Sequence, residues 1–150
     1  MKLAEALQER ADLQKQLSQV RGRLLNNAKA QEGEQPVEDP AKLLQEMDGM
    51  TVRLEELILR INMTNARTTD NGETLTALLA RRDCLQKKTG ILRDFLDRAS
   101  ELVERSSYAE IKVHSTVSVT EKRKELDALS KALRTLDSRI QQLNWLTELQ

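Results

Sequence analysis

Four segments of the 150-residue chain repeat apolar residues in alternating steps of three and four, the spacing that gives a helix one apolar side. The most regular repeat runs from Leu126 to Leu143, and another runs from Leu43 to Ile61. Together the repeats predict four long helices, over residues 2–28, 40–66, 74–106 and 119–148. We therefore predict an all-α fold in which the apolar sides of the helices pack against each other along a common seam.

The predicted helices are separated by residues that favour helix ends and turns. Asp39-Pro40 is typical of a helix start. The aspartate side chain accepts hydrogen bonds from backbone N–H groups that lack partners in the first turn, and at the first helical position proline loses nothing by having no N–H. Ser118 and Glu121 have the spacing of a capping box. Asp70-Asn71-Gly72 predicts a turn between the second and third helices.

The connection before the fourth helix has a different pattern. Ile111, Val113, Val117 and Val119 alternate with polar residues, which is the period of an extended strand. We predict a short extended segment near residues 109–118. Because a lone strand is unstable in water, it would lie along the helices or pair with another subunit.

Helices of this length extend about 40 Å. We expect residues 1–150 to form a single helical-bundle domain in which consecutive helices run antiparallel. One arrangement is a four-helix up-down bundle closed within one chain. The other is a pair of splayed hairpins that complete their cores in an oligomer.

Composition and charge exclude several classes of protein. The chain has 24 basic and 24 acidic residues, so its net charge is zero and it lacks the positive charge that attracts nucleic acid. Only three residues are aromatic, which argues against a β-sandwich or a barrel. We expect no nucleic-acid partner.

Targeting signals, membrane spans and catalytic motifs are not evident. The first residues enter a charged amphipathic pattern at once, and the longest apolar run is Ala77–Ala80, so we expect neither a signal peptide nor a membrane span. Cys84 and His114 are the only cysteine and histidine, so we expect no disulfide, metal or cofactor and predict a cytoplasmic location. No motif indicates a catalytic site.

A second set of apolar residues lies outside the seam of three helices. The set predicts either a wide buried face or an interface between subunits, and we favour the interface. Its members are Val52, Leu59 and Met63 on the second helix, Ile91, Phe95 and Leu102 on the third, and Trp145, Leu146 and Leu149 on the fourth.

Arginine replaces leucine at two seam positions, Arg10 and Arg82. If the helices alternate in direction, both arginines lie near the same end of the bundle as Asn65 and Arg81. The two arginines either form ion pairs that fix the helix register or create a pocket for a small anion. The carboxylates expected to pair with them are Glu5, Asp12, Asp83 and Asp137. The predicted anion pocket comprises Arg10, Asn65, Arg81 and Arg82.

Several short phrases together resemble a family of small bacterial proteins of unknown function, some of which carry the label septicolysin. The phrases are Lys2–Leu7, Leu24–Ala28, Gln31–Gly33, Thr74–Thr76, Leu79–Asp83, Ile140–Gln141 and Asn144–Trp145. The resemblance implies a bacterial, mostly helical protein and provides no catalytic residues. The residues themselves do not support lysis, because no strongly basic apolar helix that could enter lipid is present.

We therefore predict a self-associating structural or interaction module that forms a homo-oligomer. The alternative is a protein that binds, or acts on, a small anionic ligand at the arginine cluster. A lytic function would follow from the family label alone.

Overall fold

A computed structural model describes residues 1–102 and 112–150. These residues form four helices and one small hairpin: α1 (Leu3–Asn26), α2 (Pro40–Arg67), β1 (Thr69–Asp70), β2 (Glu73–Thr74), α3 (Leu75–Ser100) and α4 (Val119–Leu146). The predicted all-α fold is confirmed. The chain divides into two compact units: the discontinuous unit, Met1–Thr74 with Gln142–Gln150, and the continuous unit, Leu75–Gln141. That the whole chain acts as one domain stays a prediction.

The predicted starts of α2 and α4 are confirmed. The Asp39 carboxylate accepts a hydrogen bond from the backbone N–H of Ala41 at 3.0 Å, and Pro40 occupies the first helical position. The Ser118 hydroxyl oxygen accepts a hydrogen bond from the backbone N–H of Glu121 at 3.4 Å. Both polar side chains thus satisfy N–H groups that lack partners within the helix.

Helix α3 is shorter than predicted. It ends at Ser100 instead of extending to residue 106, and residues 101 and 102 are not helical. In its last turn the Ser100 hydroxyl donates to the Leu96 carbonyl at 2.7 Å, and the Glu101 N–H bonds three residues back to Arg98. The bond from Glu101 spans three residues instead of four, a tightening that is common in the last turn of a helix.

The predicted strand is not found where the structure describes the connection. Residues 112–118 have no regular secondary structure, and residues 109–111 lie outside the described residues. Val119 belongs to the first turn of α4, after the Ser118 cap, and does not extend the alternating pattern. Within the described residues, Val113 and Val117 therefore lie in a loop that leads to the α4 cap, and Val113 is exposed.

In the discontinuous unit, α1 and α2 form an antiparallel helical hairpin. Ion pairs join Arg53 to Glu9 near one end and Arg23 to Glu46 near the other. The buried apolar residues of α1 and α2 come from the predicted seams and are Leu3, Ala6, Val20, Leu43, Leu57 and Ile61. The apolar periodicity therefore identified the packed sides of both helices.

The connection between α1 and α2 is organised by Asn27. Its amide donates to the Arg23 carbonyl at 2.8 Å, and its side-chain oxygen accepts from the backbone N–H of Glu38 at 2.9 Å. The Arg23 guanidinium also bonds the Glu38 carboxylate. One buried asparagine thus links the end of α1 to the approach to α2.

The segment after α4 is anchored in the discontinuous unit. Glu148 forms an isolated antiparallel bridge with Lys2, and the N–H of Leu149 donates to the Met1 carbonyl at 2.9 Å. The N–H of Gln150 donates to the hydroxyl of buried Thr64 at 3.0 Å. Residues far apart in sequence therefore complete this unit together.

A two-residue turn joins β1 and β2. Thr69 pairs with Thr74 and Asp70 with Glu73, and the turn residues are Asn71 and Gly72. Their φ values are 50° and 81°. Two successive positive φ angles are characteristic of a type I′ turn, for which Asn-Gly is the favoured pair. The predicted turn is confirmed.

In the continuous unit, α3 and the first part of α4 run antiparallel. Arg82 pairs with Asp137 at one end and Arg123 with Asp97 at the other. The buried residues again belong to the predicted seams and are Leu75, Leu78, Thr89, Leu96, Leu126, Leu136 and Ile140.

Candidate interaction surface

An apolar groove lies between α3 and α4 in the continuous unit. The residues that line it are Lys88, Ile91, Leu92, Phe95, Lys122, Glu125, Ala128 and Leu129. Its volume is about 780 Å³. Ala128 leaves room in the groove because its side chain is small, whereas Leu92 and Leu129 are half-buried along it.

Two large apolar side chains of this groove are exposed to solvent. Ile91 is 71% exposed and Phe95 is 44% exposed. Both lie beside the seam, because Thr89 and Leu96 occupy the buried side of α3. Large apolar side chains that line one open groove are typical of a contact surface.

The groove has charged residues at its rim. The Lys122 ammonium lies 3.1 Å from Oε1 of Glu125, one turn away on α4. Lys88 is on α3, and no carboxylate of the described residues pairs with it. An apolar floor with a polar rim is the usual composition of a protein–protein interface.

Helix α2 carries a second exposed apolar stripe, in the discontinuous unit. Val52 is 70% exposed, and Ile58, Leu59 and Met63 are also exposed. A shallow depression of about 470 Å³ includes Ile58 and Leu59. This stripe lies along one helix, whereas the α3–α4 groove is formed by two.

The predicted interface residues of the last segment, Trp145, Leu146 and Leu149, differ in their exposure to solvent. Trp145 is 61% exposed and lines a groove with the first half of α1, and Leu146 is exposed as well. Leu149 is only 8% exposed, so within this unit it is buried, as a wide buried face would have it, and its place in an interface between subunits stays a prediction. The bond from its N–H to the Met1 carbonyl fixes the segment after α4 against the start of the chain and buries the leucine.

The predicted anion-binding residues have different surroundings. Arg82 donates to Asp83 at 3.0 Å and lies 3.7 Å from Asp137, two of the carboxylates expected from the sequence. Arg81 is exposed on the same helix. In the discontinuous unit Arg10 and Asn65 are half-buried, and Arg10 has no ion pair with the described residues. A shared anion pocket stays a prediction.

The ion pairs between α1 and α2 were not foreseen. Arg53 holds Glu9 with two hydrogen bonds and also bonds Glu56 at 2.8 Å. The Arg53 hydrogen bonds keep the pKa of Glu9 below its ordinary value, and the Arg23 hydrogen bonds do the same for Glu38. The sequence does place opposite charges on two helices predicted to run antiparallel. It does not give the position of one helix along the other, which decides which charges meet.

Residues 1–102 and 112–150 contain no group of three or more metal-binding side chains placed to hold an ion. In the same residues, no helix is both long enough and apolar enough to span a bilayer.

Comparison with known proteins extends over nearly the whole chain. A crystal structure of a functionally unknown conserved protein from Corynebacterium diphtheriae has 43% sequence identity and a TM-score of 0.94, covering 100% of this chain and 99% of the other. No curated protein matches. Residues 10–149 match a family of unknown function, DUF6847, and neither match carries the septicolysin label. The chain therefore belongs to the DUF6847 family.

Proposed function

We propose that the protein is a self-associating interaction module and that the α3–α4 groove is the contact surface between two copies. The observation that carries the proposal is the exposure of Ile91 and Phe95 in one groove beside small Ala128. Burying these side chains in a partner removes apolar area from water, which is the main favourable contribution to association.

A second copy of the chain suits this surface because the groove contains both parts of a self-complementary contact. Ile91 is an exposed projection, and the space above Ala128 can receive one. A two-fold symmetric dimer uses the same patch on both subunits, so it makes this contact twice. The zero net charge of the chain means that two copies do not repel each other strongly.

Cys84 is compatible with a reducing compartment. It is the only cysteine of the chain, and it is exposed as a free thiol. We place the protein in the cytoplasm on this ground, since disulfides rarely form there.

Sedimentation velocity over a range of concentrations tests the proposal. We expect a dimer at tens of micromolar for the unchanged protein. Ile91→Glu or Phe95→Glu should raise the dissociation constant by roughly 100-fold or more, because each dimer loses two buried apolar side chains and gains two charges. Circular dichroism should show unchanged helix content, since both residues are exposed.

Val52→Glu is the matched control. Val52 on α2 is 70% exposed, almost the same fraction as Ile91, and the substitution introduces the same charge. We expect it to leave the dissociation constant unchanged. A strict monomer at every concentration contradicts the proposal, and a dimer that only Val52→Glu dissociates places the contact on α2.

A further inference from the structure

The two ends of the α3–α4 groove differ in charge. Lys88 lies at one end, and the Lys122–Glu125 pair lies at the end near Phe95. Because α3 and α4 run antiparallel, Lys88 and Glu125 are at opposite ends of the groove. Glu125 carries the carboxylate among the lining residues. The apolar middle of the groove separates it from Lys88.

A two-fold axis can join two such grooves in two ways. A parallel arrangement places like ends together, so the two Lys88 ammonium groups approach and repel each other. An antiparallel arrangement places Lys88 near the partner's Glu125, and symmetry repeats this favourable pair at the other end. Charge complementarity therefore discriminates between the two arrangements.

Resting on the self-association proposed above, we propose that two copies pair antiparallel along α3, about a two-fold axis near Ile91, with each Lys88 facing Glu125 of the other copy. Ile91 is more exposed than Phe95, the other large apolar side chain exposed in the groove, and lies near the middle of its α3 side. An axis there brings both copies of Ile91 to the centre of the interface, where apolar anchors contribute most.

The proposed register makes a specific prediction about two exposed residues of α3. Cys84 and Arg98 each lie seven residues from Ile91, so all three share one side of the helix. An antiparallel pair centred at Ile91 places Cys84 beside the partner's Arg98. Within one chain the two positions are 14 residues apart, about 21 Å along the helix.

Cross-linking of Arg98→Cys with a short bis-maleimide reads out this register. We expect a covalent dimer from the variant, formed between Cys84 and the introduced cysteine of the other copy. The unchanged protein and the variant Cys84→Ser/Arg98→Cys are the controls, and neither should link, because identical positions are about 21 Å apart along α3. Efficient linking of the unchanged protein, with no gain from Arg98→Cys, would overturn the antiparallel arrangement.

Charge reversal gives an independent readout by sedimentation. Lys88→Glu should raise the dissociation constant about tenfold, and so should Glu125→Lys, because each change affects two rim pairs per dimer. The double variant Lys88→Glu/Glu125→Lys should restore the original value. In a parallel dimer residue 88 meets its own copy, so Lys88→Glu would replace one like-charge pair with another and would not raise the dissociation constant tenfold.

The outcomes separate this inference from the proposed function. A monomeric protein removes the self-association itself. A dimer that Ile91→Glu dissociates, but that neither cross-links through Arg98→Cys nor recovers in the double charge reversal, retains the groove as interface and refutes the antiparallel arrangement.

Discussion

The Arg53 guanidinium binds both carboxylate oxygens of Glu9, with Nε 2.6 Å from Oε1 and Nη2 2.9 Å from Oε2. These residues lie on different helices, so the two parallel bonds set the position of α2 along α1. Two parallel bonds from one guanidinium fix geometry better than a single contact does.

This pair predicts a loss of stability in acid. Because Arg53 keeps the pKa of folded Glu9 below the ordinary value of 4.5, the stabilising contribution is complete above that pH and disappears as the pH falls through the lowered pKa. Glu9→Gln should unfold at a lower urea concentration at pH 7, and its difference from the unchanged protein should narrow below pH 4.5. Urea titrations followed by circular dichroism measure both.

Glu55→Gln on α2 is the control for this prediction, because it makes the same substitution at another glutamate. No described residue forms an ion pair with Glu55. We expect it to unfold like the unchanged protein at pH 7. Equal effects of the two substitutions would show that the Arg53–Glu9 pair contributes nothing measurable.

Two buried threonines predict opposite effects of the same substitution. The Thr89 hydroxyl has no hydrogen-bond partner among the described residues, whereas the Thr64 hydroxyl donates to the Arg60 carbonyl at 2.8 Å and accepts from Gln150. Thr89→Val should raise the free energy of unfolding by about 1 kcal/mol, because it removes a buried polar group of the same shape.

Thr64→Val should lower the free energy of unfolding by about 1–2 kcal/mol, because the N–H of Gln150 loses its acceptor. Both threonines are buried and helical, so intrinsic helix preference changes equally in the two variants. Chemical denaturation measures both. Stabilisation by Thr64→Val, or destabilisation by Thr89→Val, would contradict the hydrogen bonds described.

Two glycines predict opposite effects of alanine. Gly72 has φ +81°, which alanine adopts only with strain, so Gly72→Ala should cost about 1–2 kcal/mol. Gly49 lies within α2, and a Cβ added there meets no atom within 4 Å. Gly49→Ala should therefore stabilise the protein by about 0.5–1 kcal/mol. Thermal unfolding of both variants tests the pair, and equal melting temperatures would be evidence against the turn geometry.

The seam arginine at position 82 predicts a neutral or stabilising substitution. Its guanidinium forms ion pairs with Asp83 and Asp137. Leucine occupies most other positions of the apolar repeat of α3. Arg82→Leu should leave the free energy of unfolding unchanged or raise it by up to about 1 kcal/mol. The unchanged protein should show no thermal shift with inorganic phosphate. A phosphate-dependent shift that Arg82→Leu abolishes would support the anion-binding alternative.

The helices and their packed sides follow from local sequence, and the contacts between distant segments do not. The three- and four-residue spacing placed Leu57 and Ile140 in the core without knowledge of any partner helix. Asp39-Pro40 and Asn71-Gly72 also act through neighbouring backbone groups. Periodicity therefore predicts which side of a helix is buried.

The sequence pattern does not separate the exposed members of the second apolar set from the buried ones, for a physical reason. Ile91 and Phe95 are exposed as a contact surface requires, but Leu149 is covered because its segment bonds to Met1. Spacing along one helix shows which residues share a side. It does not show which other segment reaches that side, nor that Ala128 opens a groove between helices.

The pairing of Lys2 with Glu148 has a consequence for the order in which contacts form during folding. These two residues are separated by most of the sequence, so their contact closes a long loop, whereas the two helices of the α1–α2 hairpin are close in sequence. We expect the bonds of residues 142–150 to Lys2 and Thr64 to form late in folding, because contacts between distant residues form slowly.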